Sequence, residues 1–471
     1  RQMCIRDSAY TKQPNDFTQN IGNGSYSTAD SYVKQVWDGR YTGIRMCNQL
    51  LENIDRVPDL DPELKKRYIG EAKVLRAYSY YELYTKFGDI PYTTKVLSIK
   101  ESMSIARTAK ATVIVNILAD LDEVINGNYL PTSYDADNKG RITRWAAMAI
   151  KAKIYLFEGN WTQVKNITST IMTEGGFKLF GSYAGLFEIA NEYNSEVILD
   201  AQYRPTSREH QMMYVFLPPT LGGYSQLSPL QELVDSYIML DGKTIKETGT
   251  SFDESHPYAN RDPRLKATVM YTGNSYTLAD GTEVVINCEK GEGKDGYGVG
   301  SDCSATGYYI KKYWDNTYRS TLYSGFNPIF IRYADILLMN AEALAELGEL
   351  DKTAWDATIK PIRNRAGFTL ASALEFPEGA SKDKLIEIVR NERRSELALE
   401  GHRHKDIIRW RIADNVLNGW CHGLKTNDVV GTDDGYVRVE NRTFNANRHY
   451  LWPIPQAERD LNGNLEQNPN W

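Results

Sequence analysis

Two glutamates late in the chain could form the carboxylate pair of a sugar-cleaving site. Glu392 and Glu396 lie four residues apart in NERRSELALEGHRH, a spacing that puts both on one face of a helix. Glycosidases use a close pair of carboxylates, one of them as a general acid. Arg393, Arg394 and Arg403 interleave with the two glutamates, however, and cations lower a carboxylate pKa, whereas a general acid needs a raised one. The segment therefore predicts a structural ion-pair network that locks the last helices.

Dispersed aromatic residues are the better candidates for a binding site. Many of them lie in stretches rich in Pro, Gly, Ser and Thr, and Asn and Arg side chains flank them. Flat rings suit the faces of pyranose sugars, because ring contact supplies affinity while polar donors fix orientation. The predicted ligand-binding residues are Trp314, Tyr318, Arg319, Tyr323, Tyr224, Tyr214, Tyr26 and Asn23. Trp37, in contrast, keeps helical register with Tyr41 and Ile44, so we interpret it as a core residue.

No motif predicts a catalytic residue, a metal or a cofactor. His402 and His404 are two residues apart on a predicted helix and therefore point in different directions, which argues against a shared metal. Residues 291–296 fit G-x-G-x-x-G, but Gly, Ser and Thr follow them instead of the helix that a dinucleotide site requires. We interpret this segment as a surface loop. The alternative for the loop is a calcium site built from Glu292, Asp295 and Asp302.

Helical periodicity dominates both ends of the chain. In residues 70–92, small and apolar side chains recur at helical spacing, and Gly88 and Pro91 end the helix. The recurring positions are Ala72, Leu75, Ser79 and Leu83. Residues 141–161 open one helix hairpin, and residues 332–367 form another, in which Gly348 makes the turn. Helix pairs of about this length resemble tetratricopeptide units, whose repeat is about 34 residues.

The elements predict a mostly α fold in which tetratricopeptide-like helix pairs form one scaffold. Between the helical ends, Pro, Gly and Asn replace the helical period, and only short strands such as residues 283–287 are predicted. Because rigid scaffolds place function on their long loops, we expect this middle segment to bind the ligand. The predicted divisions are 1–8 as a non-native leader, 9–195 as an N-terminal helical part, 196–328 as a loop-rich ligand-binding insertion, and 329–471 as a C-terminal helical part completing the same scaffold.

Composition narrows the classes of protein. The formal charge is −6 and no long run of Lys or Arg occurs, which argues against nucleic acid as a partner. No stretch of about 18 apolar residues is present, so no spanning helix is predicted. The 31 Tyr and 9 Trp outnumber the 13 Phe. Because Tyr and Trp carry a polar group on an apolar ring, this excess favours partly solvent-exposed surfaces over a larger apolar core. Five cysteines make an odd count, and a bridge between Cys288 and Cys303 stays open.

Several segments together resemble the SusD/RagB family of surface glycan-binding lipoproteins. The closing stretch YLWPIPQAERDLNGNLEQNPNW is similar to the family's C-terminal signature. The likeness spans nearly the whole chain, and its departures are a missing leading segment and His404, where the family more often has an aromatic residue. The other matching segments are KFGDIPY, the helix from residue 141, LVDSYIMLDGK, NRDPRL, TGYYIKKYWD, RYADILLMNAEA and NERRSELALEGHRHKDIIRW.

The resemblance implies a function, a partner and a location. Family members capture oligosaccharides or glycans at the outer membrane without cleaving them and pass them to a TonB-dependent transporter of the SusC type. The resemblance also implies a lipid anchor in the full-length protein and exposure on the cell surface. RQMCIRDS at the start has no apolar segment ahead of Cys4, so we expect neither a signal peptide nor a lipidation site there.

Two other functions stay open at this point. A glycoside hydrolase would use carboxylates such as Asp253 and Glu254. A tetratricopeptide adaptor would bind peptide tails through its helix pairs. Incubation with polysaccharides distinguishes the first from a binding protein, because only catalysis creates new reducing ends.

Overall fold

The computed structural model describes residues 8–12, 17–315, 317 and 322–471, and most of its regular structure is helical. The α-helices of this part are α1 Phe17–Asn23, α2 Ser31–Asn53, α3 Pro62–Phe87, α4 Ile99–Ser102, α5 Lys110–Asn126, α6 Arg144–Phe157, α7 Trp161–Glu174, α8 Met212–Phe216, α9 Gln231–Ser236, α10 Pro263–Thr268, α11 Tyr333–Leu347, α12 Lys352–Ala357, α13 Ile359–Ala366, α14 Ala371–Leu374, α15 Lys382–Glu396, α16 Arg403–Arg409, α17 Ala413–Val416 and α18 Gln456–Leu461. The predicted mostly α fold is confirmed.

The strands are short and pair antiparallel in small sheets. They are β1 Ala9–Thr11, β2 Val197–Asp200, β3 Leu227–Pro229, β4 Val269–Met270, β5 Ser275–Thr277, β6 Glu283–Val285, β7 Tyr309–Ile310, β8 Ile329–Arg332, β9 Gly419–Lys425, β10 Thr432–Asp433 and β11 Tyr436–Arg442. β9, β10 and β11 form a sheet of order β10-β11-β9, and the other pairs are β1-β3, β2-β8, β4-β7 and β5-β6. The strand predicted near residue 283 is present as β6.

The chain divides into two compact units. We call the described part of Arg1–Asn23, Gly176–Asp406 and Asn415–Thr443 the mixed unit, because it carries all the strands. Gly24–Gly175, Ile407–Asp414 and Phe444–Trp471 form the helical unit. The division predicted from the sequence, in which residues 329–471 complete one scaffold, stays a prediction.

In the helical unit, α3 is the central helix. Asp61 caps its start by accepting a hydrogen bond from the Leu64 amide at 2.8 Å, and Pro62 occupies the first turn, where its missing N–H costs nothing. Helices α2, α5 and α6 pack around α3, so it buries more than one face. The predicted apolar stripe is wrong at Leu75, which is 48% exposed. Trp37 of α2 is buried, as predicted.

The C-terminal tail is fastened to this unit. The Trp452 amide donates to the Lys86 carbonyl at 2.7 Å, so the tail joins the end of α3. The buried side-chain amide of Asn468 donates to the Phe87 and Trp452 carbonyls at 2.8 and 2.7 Å. The tail therefore lies as a strap along this unit, and it includes one short helix, α18, which begins directly after Pro455.

In the mixed unit, the predicted helix hairpin begins with α11. Gly348 ends α11 in the left-handed conformation, with φ +75°, so the predicted turn is confirmed. The returning segment is broken into α12 and α13 at Thr358. Pro361 explains the break, because it has no N–H to donate to the carbonyl of Ala357.

Buried ion pairs hold the last helices of the mixed unit, as predicted, but the partners come from elsewhere in the chain. Glu396 of α15 is paired with Arg332 at 2.6 Å, with Arg264 at 2.9 Å, and with Arg365. Burial alone would raise the pKa of Glu396, but these arginines hold it well below its usual range. Arg393 does not pair with the neighbouring glutamates; its partners are Asp335 at 2.6 Å and Asp406 at 2.9 Å.

Candidate functional site

A cavity of about 890 Å³ opens in the mixed unit. Its walls come from four stretches that are far apart in the sequence, together with the start of α9. These stretches are Phe252 with residues 254–259, residues 271–273 with 288–290 and Glu292, residues 307–308, and residues 424–428 with Tyr436. The volume lies within the range of small-molecule binding sites, about 300–1,000 Å³.

Tyrosines form one wall of the cavity. Tyr258 and Tyr271 stack with their ring centroids 4.0 Å apart and their planes at 17°. Tyr308 meets Tyr258 edge-on, and the two hydroxyl oxygens lie 3.2 Å apart. The Tyr308 hydroxyl donates to Gln231 Oε1 at 2.5 Å. Burial raises the pKa of both Tyr258 and Tyr308, so these hydroxyls stay neutral and can both donate and accept hydrogen bonds.

The rim of the cavity is charged. Lys425 of β9 pairs with Glu254 at 3.0 Å, and Lys290 pairs with Asp428. All four side chains are well exposed, so these pairs contribute little to stability. They surround the opening with donors and acceptors that an incoming polar ligand can use.

Two close backbone approaches shape the cavity wall next to Tyr308. The Leu424 amide donates to the Thr306 carbonyl at 2.7 Å, which draws β9 against residues 306–307. Gly307 has φ +78°, and a Cβ placed there would lie 1.7 Å from a methyl carbon of Leu424. Gly423 faces the Thr306 carbonyl, which a Cβ would approach to 2.5 Å. Both glycines are therefore needed for this wall.

Asp253, one of the carboxylates suggested for a hydrolase, does not suit acid catalysis. Hydrogen bonds from Ser255 and His256 lower the pKa of Asp253 to about 2, whereas a general acid needs a raised value. Burial does raise the pKa of Glu192 to about 7 and that of Asp200 to about 6. Neither of these two residues lines the cavity.

Three of the sequence-predicted binding residues lie around α8. Tyr214 and Tyr224 stack with ring centroids 4.1 Å apart and planes at 25°, and the Tyr224 amide donates to the Tyr214 carbonyl at 3.0 Å. Tyr224 and Tyr323 are both exposed. The Tyr323 hydroxyl accepts a hydrogen bond from Gln211, the residue before α8, at 2.9 Å. The structure therefore brings two of the three together and ties the third to the same helix.

The remaining predicted residues lie elsewhere. Trp314 is half-buried against the core of the mixed unit, where its indole N–H donates to the Thr277 carbonyl at 2.9 Å. In the same unit, the side-chain amide of Asn23 donates to Glu440 Oε1 at 3.3 Å. Tyr26 belongs to the helical unit and is 2% exposed, with its ring among those of the C-terminal tail. Tyr318 and Arg319 fall outside the described residues.

Sequence reasoning missed the tyrosines of the cavity, which are Tyr258, Tyr271, Tyr308 and Tyr436. One signal was available: several of the chain's many tyrosines fall in the turn-rich segment predicted to carry the ligand. No spacing rule, however, relates the position of Tyr436 to the other three.

The loop with the dinucleotide-like glycines has a structural role. Asp295, within it, accepts a hydrogen bond from the Thr220 amide at 2.8 Å, and its carbonyl accepts one from the Tyr309 hydroxyl. No cluster of His, Cys, Asp or Glu suited to a metal ion occurs among the described residues. Cys288 and Cys303, at the two ends of the loop, are free and buried, so the disulfide left open by the sequence is not formed.

Comparisons with known proteins agree on one family. The model of the SusD family matches residues 186–471, and a model described as "Starch-binding associating with outer membrane" matches residues 2–156. The SusD-like protein P25 of Formosa agariphila is 27% identical over 426 residues, which cover 85% of this chain and 75% of that protein. Within residues 8–12, 17–315, 317 and 322–471, no helix has the length and apolar character needed to cross a membrane.

Solved structures are similar over the whole chain. A SusD-like carbohydrate binding protein from Bacteroides fragilis matches with a TM-score of 0.89 and 28% identity, covering 99% of this chain and 92% of that one. A laminarin binding SusD-like protein matches with a TM-score of 0.73 and 25% identity, covering 100% of this chain and 93% of that one.

Proposed function

The chain belongs to the SusD family, and we propose that it captures an oligosaccharide or a longer glycan at the outer membrane surface without cleaving it. The observation that carries the proposal is the cavity of about 890 Å³ with its stacked tyrosines, Tyr258 and Tyr271. The match of residues 2–156 to a starch-binding, outer-membrane-associated family supports both the ligand class and the location, and the carbohydrate-binding and laminarin-binding structural relatives support the ligand class.

The chemistry of the cavity suits a sugar. A pyranose ring has flat C–H faces that pack on aromatic rings, and its hydroxyls need both donors and acceptors. The Tyr258 and Tyr308 hydroxyls, with Gln231 behind them, provide a neutral chain of such groups. The rim pairs of Lys425 with Glu254 and of Lys290 with Asp428 add charged donors and acceptors at the opening.

We propose that the exposed aromatic residues around α8 extend the contact with a longer glycan. The stacked pair of Tyr214 and Tyr224 offers a flat surface, and Tyr323 lies beside the start of the same helix. Trp314, Tyr318 and Arg319 precede Tyr323 in the chain and stay predicted contributors. Tyr26 offers no ring face to a ligand at 2% exposure, and we leave it out of the proposed contact.

The captured glycan needs an acceptor that moves it inward. We propose a TonB-dependent SusC-like transporter as the partner, because family membership implies it and the described part of this chain has no spanning helix. Protein extracted in mild detergent from its native cells should co-purify with a barrel protein encoded next to it. Recovery without any transporter would remove the delivery step and leave glycan capture standing.

Binding is tested with a panel of polysaccharides and single variants of the cavity. Tyr258→Ala and Tyr271→Ala should each weaken retention of the bound glycan by about 1–2 kcal/mol, roughly five- to thirty-fold in Kd. Tyr155→Ala, which removes a half-buried tyrosine of the helical unit, is the matched control and should bind normally. New reducing ends after incubation would show catalysis. Retention that is unchanged in both cavity variants would move the site elsewhere.

A further inference from the structure

A second cavity, of about 510 Å³, lies in the helical unit beside the starts of α3 and α6. Arg67 of α3 and Arg144, the first residue of α6, both line it. The Nε atom of each is shielded from solvent and has no hydrogen-bond partner in the part of the chain that the structure describes. Both arginines are only partly exposed, so their positive charges are incompletely hydrated.

The lack of partners sets these two arginines apart from others in the helical unit. Arg76 pairs with Asp120 at 2.7 Å, and Arg141 pairs with Glu71 at 2.6 Å. Arg67 lies over the faces of Tyr68 and Tyr134, and its charge also acts on Asp135, but within the described residues the Nε atoms of Arg67 and Arg144 have no hydrogen-bond acceptor. Half-buried guanidiniums are normally bonded to acceptors, because an unpaired charged donor is costly.

The charge of this cavity favours an anion, and its position strengthens that preference. Arg144 stands at the first position of a 14-residue helix, where the helix dipole adds partial positive charge. Two carboxylates also line the cavity. Asp61 is committed to capping α3 through the Leu64 amide, whereas Glu63 is exposed to solvent.

The rest of the lining argues for a sugar as the carrier of that anion. Leu130 and Pro131 give an apolar surface beside the ring of Tyr129, and Asn128 and Thr132 offer polar groups. A bare inorganic anion would use only the arginines. A sugar bearing a carboxylate would use the arginines for its charge, the apolar surface for its ring, and the amide and hydroxyl for its own hydroxyls.

We propose that this cavity is a second carbohydrate site, selective for acidic sugars, in which Arg67 and Arg144 bind the carboxylate of a hexuronate residue. The choice of a sugar rests on the proposed function, whereas the anion site itself rests on the two arginines. The chain would then hold neutral glycan in the mixed unit and acidic residues of a glycan in the helical unit.

The test is calorimetric titration of the 471-residue chain with an oligoglucuronate and with the same oligosaccharide after carboxyl reduction. In the Tyr258→Ala variant, whose mixed-unit cavity is weakened, we expect the oligoglucuronate to bind and the reduced form to bind at least about tenfold more weakly. Arg67→Gln and Arg144→Gln should each weaken oligoglucuronate binding by about tenfold or more. Arg45→Gln removes an exposed positive charge from the same unit, away from the cavity, and should bind normally.

Further arms separate the alternatives. Equal binding of both oligosaccharides, or unchanged binding in the double variant of Arg67 and Arg144, would overturn the site. Equally tight, arginine-dependent binding of inorganic sulfate or of hexaglutamate would overturn the assignment to a sugar. Circular dichroism confirms folding of each variant. Tyr258→Ala should leave oligoglucuronate binding to the arginines intact, so failure of the proposed function and failure of this site give different results.

Discussion

Replacing Glu400 with Gln is a stringent test of the buried charges in the mixed unit. The Glu400 side chain is 2% exposed and accepts hydrogen bonds from Lys312 Nζ at 2.7 Å and from Arg332 Nη2 and Nε, each at 2.7 Å. Glu400→Gln keeps the shape of the side chain but removes the negative charge. Both carboxylate oxygens of Glu400 accept hydrogen bonds, but the Gln side chain has an NH₂ group in place of one of them. That NH₂ group would face the donors of Lys312 or Arg332, and Lys312 would lose its carboxylate partner.

The size of the effect follows from the pKa of Glu400. Burial would raise it, but Arg332 and Lys312 lower it from 4.5 to about 2. That difference corresponds to about 3 kcal/mol of stability. Because the folded pKa lies below the unfolded one, this stability is fully present above about pH 4.5 and is lost as the pH falls towards 2. The difference in free energy of unfolding between the wild type and Glu400→Gln should therefore drop to less than about half of its pH 7 value by pH 3 and nearly vanish at pH 2.

The assay is urea unfolding of both proteins at several pH values, followed by tryptophan fluorescence. Glu387→Gln on α15 is the control, because Glu387 is 62% exposed and, among the described residues, pairs only with Lys384, so loss of its charge should cost less than about 0.5 kcal/mol. A cost below about 1 kcal/mol for Glu400→Gln at pH 7 would refute the reasoning. So would a cost that stays constant down to pH 2.

Two further predictions concern the wall and the flank of the cavity. A hydrogen bond to Glu232 raises the pKa of His422 to about 9, so the imidazole signals of His422 should titrate near pH 9 in NMR. The stability from this contact should be complete below about pH 6.5 and should fade as the pH rises through 9. Titration of the imidazole near pH 6.5 would contradict this prediction. Gly307→Ala should lower the free energy of unfolding by more than about 2 kcal/mol, because the new Cβ would clash with Leu424 in a left-handed backbone. Gly281→Ala is the control, since Gly281 also has positive φ but faces open space, and it should cost about 1 kcal/mol. Equal melting temperatures of the two variants would count against the close approach.

Much of the fold could be predicted because its signals are local. Helix α11 and its turn at Gly348 were readable from the alternation of small and apolar residues and a terminal glycine. The exposure of Leu75 was not, since periodicity identifies a stripe but not which neighbours cover it. Pro361 indicates the break between α12 and α13, but the pattern of a helix hairpin led to the prediction of one continuous returning helix.

The candidate site was less predictable because it depends on contacts between distant segments. Tyr214 and Tyr224 were named from their turn-rich surroundings, and the structure stacks them. Tyr258 and Tyr308 of the cavity were not, because their relation depends on how the loops fold back on one another. The same limit applies to the ion pairs: an acidic helix face was visible, but the main arginine partners of Glu396 lie far away in sequence.

The buried charges and the cavity are physically connected through the segment that follows Tyr258. Arg261 donates to the Pro257 carbonyl at 2.8 Å and to the Val234 carbonyl at 2.7 Å, which fixes the backbone around the Tyr258 ring. The next residue, Asp262, caps α10 and pairs with Arg264, which reaches Glu396 in the ion-pair network. An irregular loop lacks the repeating hydrogen bonds of a helix, so its geometry depends on such anchors. Loss of a network charge should therefore weaken glycan binding as well as stability.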